Sequence, residues 1–177
     1  DWQNDLALSD RHALTAGILW QDEDADALSF GLPYAARTET RQGYLQDQVA
    51  LGKHRLLLAA GYTDHETFGG HFTWNAELGF ALGEATELVF GAGRAFRAPD
   101  ATDLYGFGGN PGLDPERSES YEASLRHRKA GGHSLSLTAF RNEVDDLIEF
   151  VIIDFGTFEG ENQNVERARI EGVEAGW

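Results

Sequence analysis

Asp22, Glu23, Asp24 and Asp26 form a near-continuous run of carboxylates. Hard cations prefer clustered carboxylate oxygens, so Asp22, Asp24 and Asp26 are candidate calcium ligands. The run lacks the glycine and the distal glutamate of an EF-hand loop, and a solvated acidic loop is the competing reading. His65 and His71 are too few for a zinc site, which needs three or four ligands, and the chain has no cysteine to add to them. Glu116, Glu119 and Glu122 form a carboxylate set that reads best as polar lining of a lumen. The glycines from Gly106 to Gly112 look superficially like a dinucleotide loop, but Pro111 interrupts them and no helix pattern follows. There is no G-x-S-x-G elbow, no phosphate-binding P-loop and no H-E-x-x-H. The expected enzymatic activity is none.

The stretch from Arg94 to Glu122 stands apart. Pro99, Pro111 and Pro115 remove backbone donors, and Gly106, Gly108, Gly109 and Gly112 permit tight or left-handed turns. A segment that is neither helix nor ladder is expected between two strands, with Tyr105 and Phe107 inside it. Loops of this length in compact domains are usually functional or disordered.

The flanking elements alternate with period two. In the clearest run Phe72, Trp74, Ala76, Leu78, Phe80 and Leu82 share one face, against Thr73, Asn75, Glu77 and Gly79. Similar runs start near Trp2, Leu14, Thr40, Leu56, Leu88, Tyr121, Leu135 and after Asn164, giving about nine strands. Asp47 breaks the apolar face of its run. Tight turns are expected at Ser9–Arg11, Gly52–His54, Gly83–Ala85 and Lys129–Gly132. Long connections are expected at Asp22 to Thr38, the proline-rich stretch, and Asp154 to Asn164, with a medium one at Asp64 to Gly70. Tight turns alternating with long loops, on strands of about ten residues, fit an up-and-down transmembrane β-barrel. Trp20, Tyr62, Phe72, Trp74 and Phe96 lie near the loop-side ends, where an aromatic girdle belongs. A large soluble β-protein with the same face as its core is the alternative.

The chain has 177 residues, with 30 acidic and 14 basic side chains and a net charge of −16. That balance opposes nucleic-acid binding, which needs a basic surface to neutralise phosphates. No apolar run approaches the ~18 residues of a membrane helix, which leaves strands as the spanning element. Methionine is absent, even at position 1, so a processed or excised piece is expected. Nine strands are an odd number for a closed bacterial barrel, and an open edge in lipid leaves backbone groups unsatisfied at several kcal/mol each. Residues 1–177 are therefore expected to be one partial barrel domain, completed by further strands or by further copies of itself.

Four motifs carry a resemblance: GRAFRAP at Gly93–Pro99, DLYGFGGNPGLDPERSESYE at Asp103–Glu122, FRNEVDDLIEF at Phe140–Phe150 and NVERARIEGVEA at Asn164–Ala175. With LTAGILWQ at Leu14–Gln21 and FGGHFTWN at Phe68–Asn75, they resemble the barrel of TonB-dependent outer-membrane receptors. The similarity is closest to the branch that transports cobalamin (vitamin B12). The resemblance implies a barrel of about twenty-two strands with a plugged lumen, in the outer membrane of a Gram-negative bacterium, contacting lipid and lipopolysaccharide. It implies active uptake of cobalamin, or of a haem, siderophore or other corrinoid, energised by TonB through a plug. No plug or TonB-box sequence occurs in these residues, so TonB coupling is expected only through a plug supplied elsewhere. A self-assembling pore of several copies is the reading from another class. The resemblance further implies substrate contacts at Thr73 and His65. Tyr105 and Phe107 are added because rigid aromatic faces can stack on a flat macrocycle. No cofactor is required, and calcium in the extracellular loops is the one metal to consider.

Overall fold

The computed structural model describes residues 1–128 and 131–177. Period-two alternation yields nine antiparallel strands, each hydrogen-bonded to its neighbours in chain order. They are β1 (Trp2–Ser9), β2 (His12–Ser29), β3 (Leu32–Leu51), β4 (His54–His65), β5 (Gly69–Ala81), β6 (Thr86–Arg97), β7 (Glu116–Arg128), β8 (Ser134–Asp154) and β9 (Glu159–Gly176). β1 and β9 do not pair with each other, so the sheet is open. The turn expected at Lys129–Gly132 falls partly outside the described residues.

Three expected loops are corrected. The acidic segment from Asp22 to Thr38 is ladder, with β2 and β3 in register from Asp22↔Glu39 to Ser29↔Leu32. The hairpin closes through Phe30 and Gly31, at φ 49° and 85°, the left-handed pair that a type I′ turn requires. Between Asp154 and Asn164, only residues 155–158 separate the strands. The proline-rich connection contains a short helix, α1 (Ala101–Tyr105). The contrast between the two ends of the sheet therefore lies less in the number of connecting residues than in strand length: β2, β3, β8 and β9 run far past the wall as hairpins.

The ladder sorts side chains onto two faces. One carries Trp20, Leu45, Tyr62, Phe72, Trp74, Leu78, Phe90, Tyr121 and Leu137. Trp20 is 67% exposed, Tyr62 56% and Phe72 57%, so no protein layer covers this face. The other carries Gln42, Tyr44, Gln46, Gln48, Thr73, Asn75, Ser120 and Glu122. On it the Tyr44 hydroxyl donates to Gln3 Oε1 (2.7 Å), and Ser124 and Thr138 share a hydrogen bond of 2.8 Å. Tyr44 lies flat across Gly17, where any Cβ would collide with the phenol ring. Apolar outside and polar inside is the inverse of a soluble domain and the pattern of a barrel wall in lipid.

The register also gives the strand tilt. The line Trp20↔Arg41↔Asp64↔Gly70 crosses from β2 to β5. Trp74 lies four residues beyond Gly70 towards the tight turns. From Trp74 the line continues through Arg94 to Glu119, and Tyr121 lies two residues beyond Glu119. The aromatic girdle thus drifts about six residues over five strand spacings, which at ~3.3 Å per residue and ~4.8 Å per strand is a tilt of about 40°. At that tilt the apolar run from Phe72 to Leu82 spans about 25 Å of height, the thickness of an outer-membrane apolar band.

Two side chains depart from expectation. Asp47 does lie on the apolar face, where its Oδ2 meets His12 Nδ1 at 2.7 Å. Glu119, expected to line the lumen, instead faces outward in the line Arg94↔Glu119↔Glu143↔Arg169, above the girdle. There Glu143 pairs with Arg141 and Arg169, and Arg167 with Asp145. Leu78, near mid-band between Leu56 and Phe90, provides the test of the face assignment. Leu78→Arg should cost about 2–4 kcal/mol in denaturant unfolding from lipid vesicles, against less than about 1 kcal/mol for Gln46→Arg on the inner face.

Candidate functional site

The connection between β6 and β7 is a packed unit. Asp100 caps α1, its Oδ1 accepting from the Thr102 and Asp103 amides at 2.8 Å each, while Asp103 Oδ2 accepts back from the Asp100 amide at 3.1 Å. This reciprocal capping box satisfies the free amides of the first turn. Leu104 and Leu113 are 7% and 4% exposed, so half of the buried apolar side chains among the described residues belong to this loop, in a sheet otherwise open on both faces.

Arg97, at the loop's entry, holds both of its stems. Its guanidinium donates to both carboxylate oxygens of Glu116 at 2.9 Å and to Asp103 Oδ2 at 2.8 Å. Glu116 Oε1 also accepts the Ile148 amide of β8 at 2.8 Å. These donors hold the Glu116 carboxyl below its ordinary value, the arginine contributing most and partial burial opposing it. Arg97 is pushed up in turn, chiefly by its bond to Glu116.

Two asparagines on β9 fix the far side. The Asn162 amide donates to Gly108 O at 2.7 Å and its Nδ2 to Asp103 O at 3.1 Å, while Asn110 Nδ2 donates to Asn162 O at 3.0 Å. Asn164 Oδ1 accepts the Asp114 amide at 2.8 Å, and its Nδ2 donates to the carbonyls of Asp114 and Asp146. On the opposite side the loop reaches the β2–β3 tip. The Phe107 amide donates to Ser29 Oγ at 3.0 Å, and Tyr34 and Thr102 share a bond of 2.8 Å. The loop is a strap between the two long hairpins.

The expected contact residues separate. His65 and Tyr105 come together, lining one cavity of about 510 Å³ with Arg37, Thr38, Thr40 and Asp100. Thr73 lines a neighbouring cavity of about 490 Å³ with Gln42, Asn75 and Ser120. Phe107 lines neither; its ring sits between Phe30 (5.1 Å) and Phe150 (6.0 Å), where it packs the strap onto its supports. His65 Nδ1 accepts the Thr67 and Phe68 amides, which leaves Nε2 to carry the proton. Burial and the nearby His71 push His65 down, against a smaller opposing pull from Glu66, so the ring is a neutral donor at pH 7. His71 is occupied elsewhere, stacked on Phe96 at 4.2 Å.

Asp22, Asp24 and Asp26 occupy alternate positions on β2, about 7 Å apart along one face. They do not converge, and Asp22 is held by Arg37 in a two-pronged bond of 3.0 and 2.6 Å. No three His, Asp or Glu side chains among the described residues are grouped to hold a metal ion. Arg97, Asn162 and Asn164 were absent from the sequence-based candidates, and Glu116 was read only as lumen lining. Their one sequence signal is the Asn-x-Asn spacing, which puts two amide side chains on one face of an otherwise charged strand.

Residues 1–177 match the sequence model of the family described as TonB dependent receptor-like, beta-barrel. Among solved structures the chain is similar to the siderophore receptor PirA from Pseudomonas aeruginosa, at 27% identity and a TM-score of 0.83 over 98% of this chain and 37% of that one. It is also similar to a mutant of the ferric enterobactin receptor PfeA from Pseudomonas aeruginosa in complex with enterobactin (22%, TM-score 0.79, 98% and 32%). A third match is the FrpB iron transporter from Neisseria meningitidis (13%, TM-score 0.74, 98% and 31%). The chain spans about a third of the length of these receptors.

The strap yields two tests. Asn164→Ala should strip bonds from Asp114 and Asp146 at a local cost of about 1–3 kcal/mol, read as faster amide exchange in residues 108–115 while β4 and β5 stay unchanged. Because Glu116 sits below the ordinary value of 4.5 in the folded state, its latch contributes fully above that pH. It is lost as the pH falls through the lowered value. Exchange of residues 100–106 should therefore quicken on acidification, and Glu116→Gln should remove that pH dependence.

Proposed function

The chain belongs to the TonB-dependent receptor β-barrel family, and from that premise we propose that it supplies wall strands and part of the ligand-capturing mouth of an active transporter for a scarce metal chelate. Members of the family are transporters of the Gram-negative outer membrane, and this chain is an outer-membrane protein. The chelate is a ferric siderophore that is neutral or positively charged. One observation carries this reading: the pinned strap brings Tyr105 and His65 to a single cavity at the loop end. Tyr105 offers a rigid aromatic face and His65 a fixed donor, beside Thr38 and Thr40. The strap is the entry surface, and energy from TonB reaches it through a plug seated against the polar inner face.

The ligand class is supported by the likeness to PirA, a siderophore receptor, over almost the whole chain. Its charge is argued from the mouth itself. Glu23 and Asp100 line the cavity, and its one arginine, Arg37, is already engaged by Asp22. A ferric tris-catecholate carries three negative charges and would be repelled there; a ferric hydroxamate would not. Cobalamin is the second reading. It is favoured by LYGFGGNPGLDPERSESYE at Leu104–Glu122, and an uncharged corrinoid suits the same acidic mouth.

Titrating the full receptor with a ferric hydroxamate, a ferric catecholate and cyanocobalamin decides among these. Saturable binding of the hydroxamate with none of the catecholate is expected. Tight catecholate binding overturns the charge argument, and binding of cyanocobalamin alone selects the second reading. Tyr105→Ala should weaken the bound chelate by about 3- to 10-fold, the worth of one aromatic contact, while Phe107→Ala should act on strap stability instead.

A further inference from the structure

The tight-turn end repeats one arrangement on three separate strands. His12 on β2, His54 on β4 and His127 on β7 all lie on the outward face. Each stands one outward position beyond the last outward leucine of its strand, namely Leu14, Leu56 and Leu125. The three imidazoles therefore mark the lower boundary of the apolar band.

Each ring is held through the same nitrogen. His12 Nδ1 meets Asp47 Oδ2 at 2.7 Å, and His127 Nδ1 meets Thr86 Oγ1 at 2.8 Å. His54 Nδ1 accepts the Ala81 amide at 3.1 Å, and its ring lies flat on Phe80 at 4.2 Å. Because His54 Nδ1 is an acceptor, its proton is on Nε2, which is left as a positioned donor. Beside these rings the turns carry Arg11 and Lys53, both exposed and neither in an ion pair among the described residues. The acidic groups at this end are Asp10 and Glu84 in the turns, with Asp47 committed to His12 and Glu87 to Arg55. In a chain of net charge −16, this is the end where cations and donors gather.

We propose that this collar binds the phosphate groups of anionic glycerophospholipids in the leaflet below the apolar band, seating the barrel at a fixed depth. The arrangement suits that ligand: the His54 donor sits at the hydrocarbon boundary, and exposed cations sit just outside it, where headgroup phosphates lie. The inference rests on the outer-membrane placement above and is independent of which chelate is carried.

The test uses the full receptor in lipid nanodiscs of mixed phosphatidylethanolamine and phosphatidylglycerol, released into mild detergent for native mass spectrometry. Phosphatidylglycerol should be retained in preference to phosphatidylethanolamine. Lys53→Gln with Arg11→Gln should lower that retention about 25-fold, at roughly a factor of five per cation removed. His54→Phe keeps the stack on Phe80 while removing the donor, and it should lower retention without altering the heat-modifiable mobility of the folded barrel. Equal retention of the two lipids overturns the proposal, as does retention unchanged in both variants. Displacement of the lipid by inorganic phosphate also overturns it, since the collar would then be a free-phosphate site. Chelate binding measured on the same samples separates the two readings, because loss of chelate specificity would leave lipid retention untouched.

Discussion

The structure depends on one constraint: a backbone in lipid must find all of its hydrogen-bond partners within the sheet, because hydrocarbon offers none. Between the open edges of β1 and β9, the ladders meet it by running in unbroken register over most of their length. Register then determines everything else, because a slip of one residue would turn each apolar face towards the lumen. It places Trp20, Tyr62, Trp74 and Tyr121 on one inclined belt and gives the strands their tilt. The same register carries the wall upward into hairpins whose outer faces are charged. Where β5 and β6 part above Trp74↔Arg94, the ladder gives way to side chains, and the stacked rings of His71 and Phe96 occupy the gap.

The strap solves a different problem. A loop with three prolines and four glycines has few ladder bonds of its own and large conformational freedom to lose. Side chains compensate. Arg97 ties entry to exit, Asp100 and Asp103 close the helix, and Asn162 and Asn164 accept and donate along the far edge. Leu104 and Leu113 add a small apolar core. Tyr105 stays exposed at the end of that scaffold, so its position is set by the groups that pin the strap. Residues that carry function on loops generally need such a rigid support.

Much of this was legible in the residues, and the failures have physical causes. Alternation located all nine strands because the buried-in-lipid face imposes a period of two on β4, β5 and β6. It failed on the upper halves of β2 and β3 because both of their faces meet water there, and Asp22, Glu23, Asp24 and Asp26 carry no apolar marker of strand. The same failure hid the upper parts of β8 and β9. The turn at Phe30–Gly31 lacked the Asn-Gly signal that usually reveals a type I′ hairpin. For the site, Tyr105 and His65 could be singled out from residue type and resemblance, yet no sequence rule predicts that Phe107 would be consumed as packing between Phe30 and Phe150. Asn162 and Asn164 escaped notice because their role exists only once a loop fifty residues earlier lies against them.

The two ends of the sheet also differ electrostatically, and the difference bears on what enters. At the loop end, Glu23 from β2 and Asp100 from the strap line a cavity whose one arginine, Arg37, is already paired. At physiological salt such charges are felt over a screening length of about 8 Å, comparable to the width of the cavity itself. A multiply anionic chelate would meet repulsion throughout its final approach, whereas a neutral one would meet only the cost of desolvating its polar groups. The neutral donor at His65 and the hydroxyls of Thr38 and Thr40 suit that second case, because they offer hydrogen bonds without demanding a counter-charge. On the proposed reading, selectivity at this mouth would rest on exclusion by Glu23 and Asp100 as much as on attraction by the aromatic face.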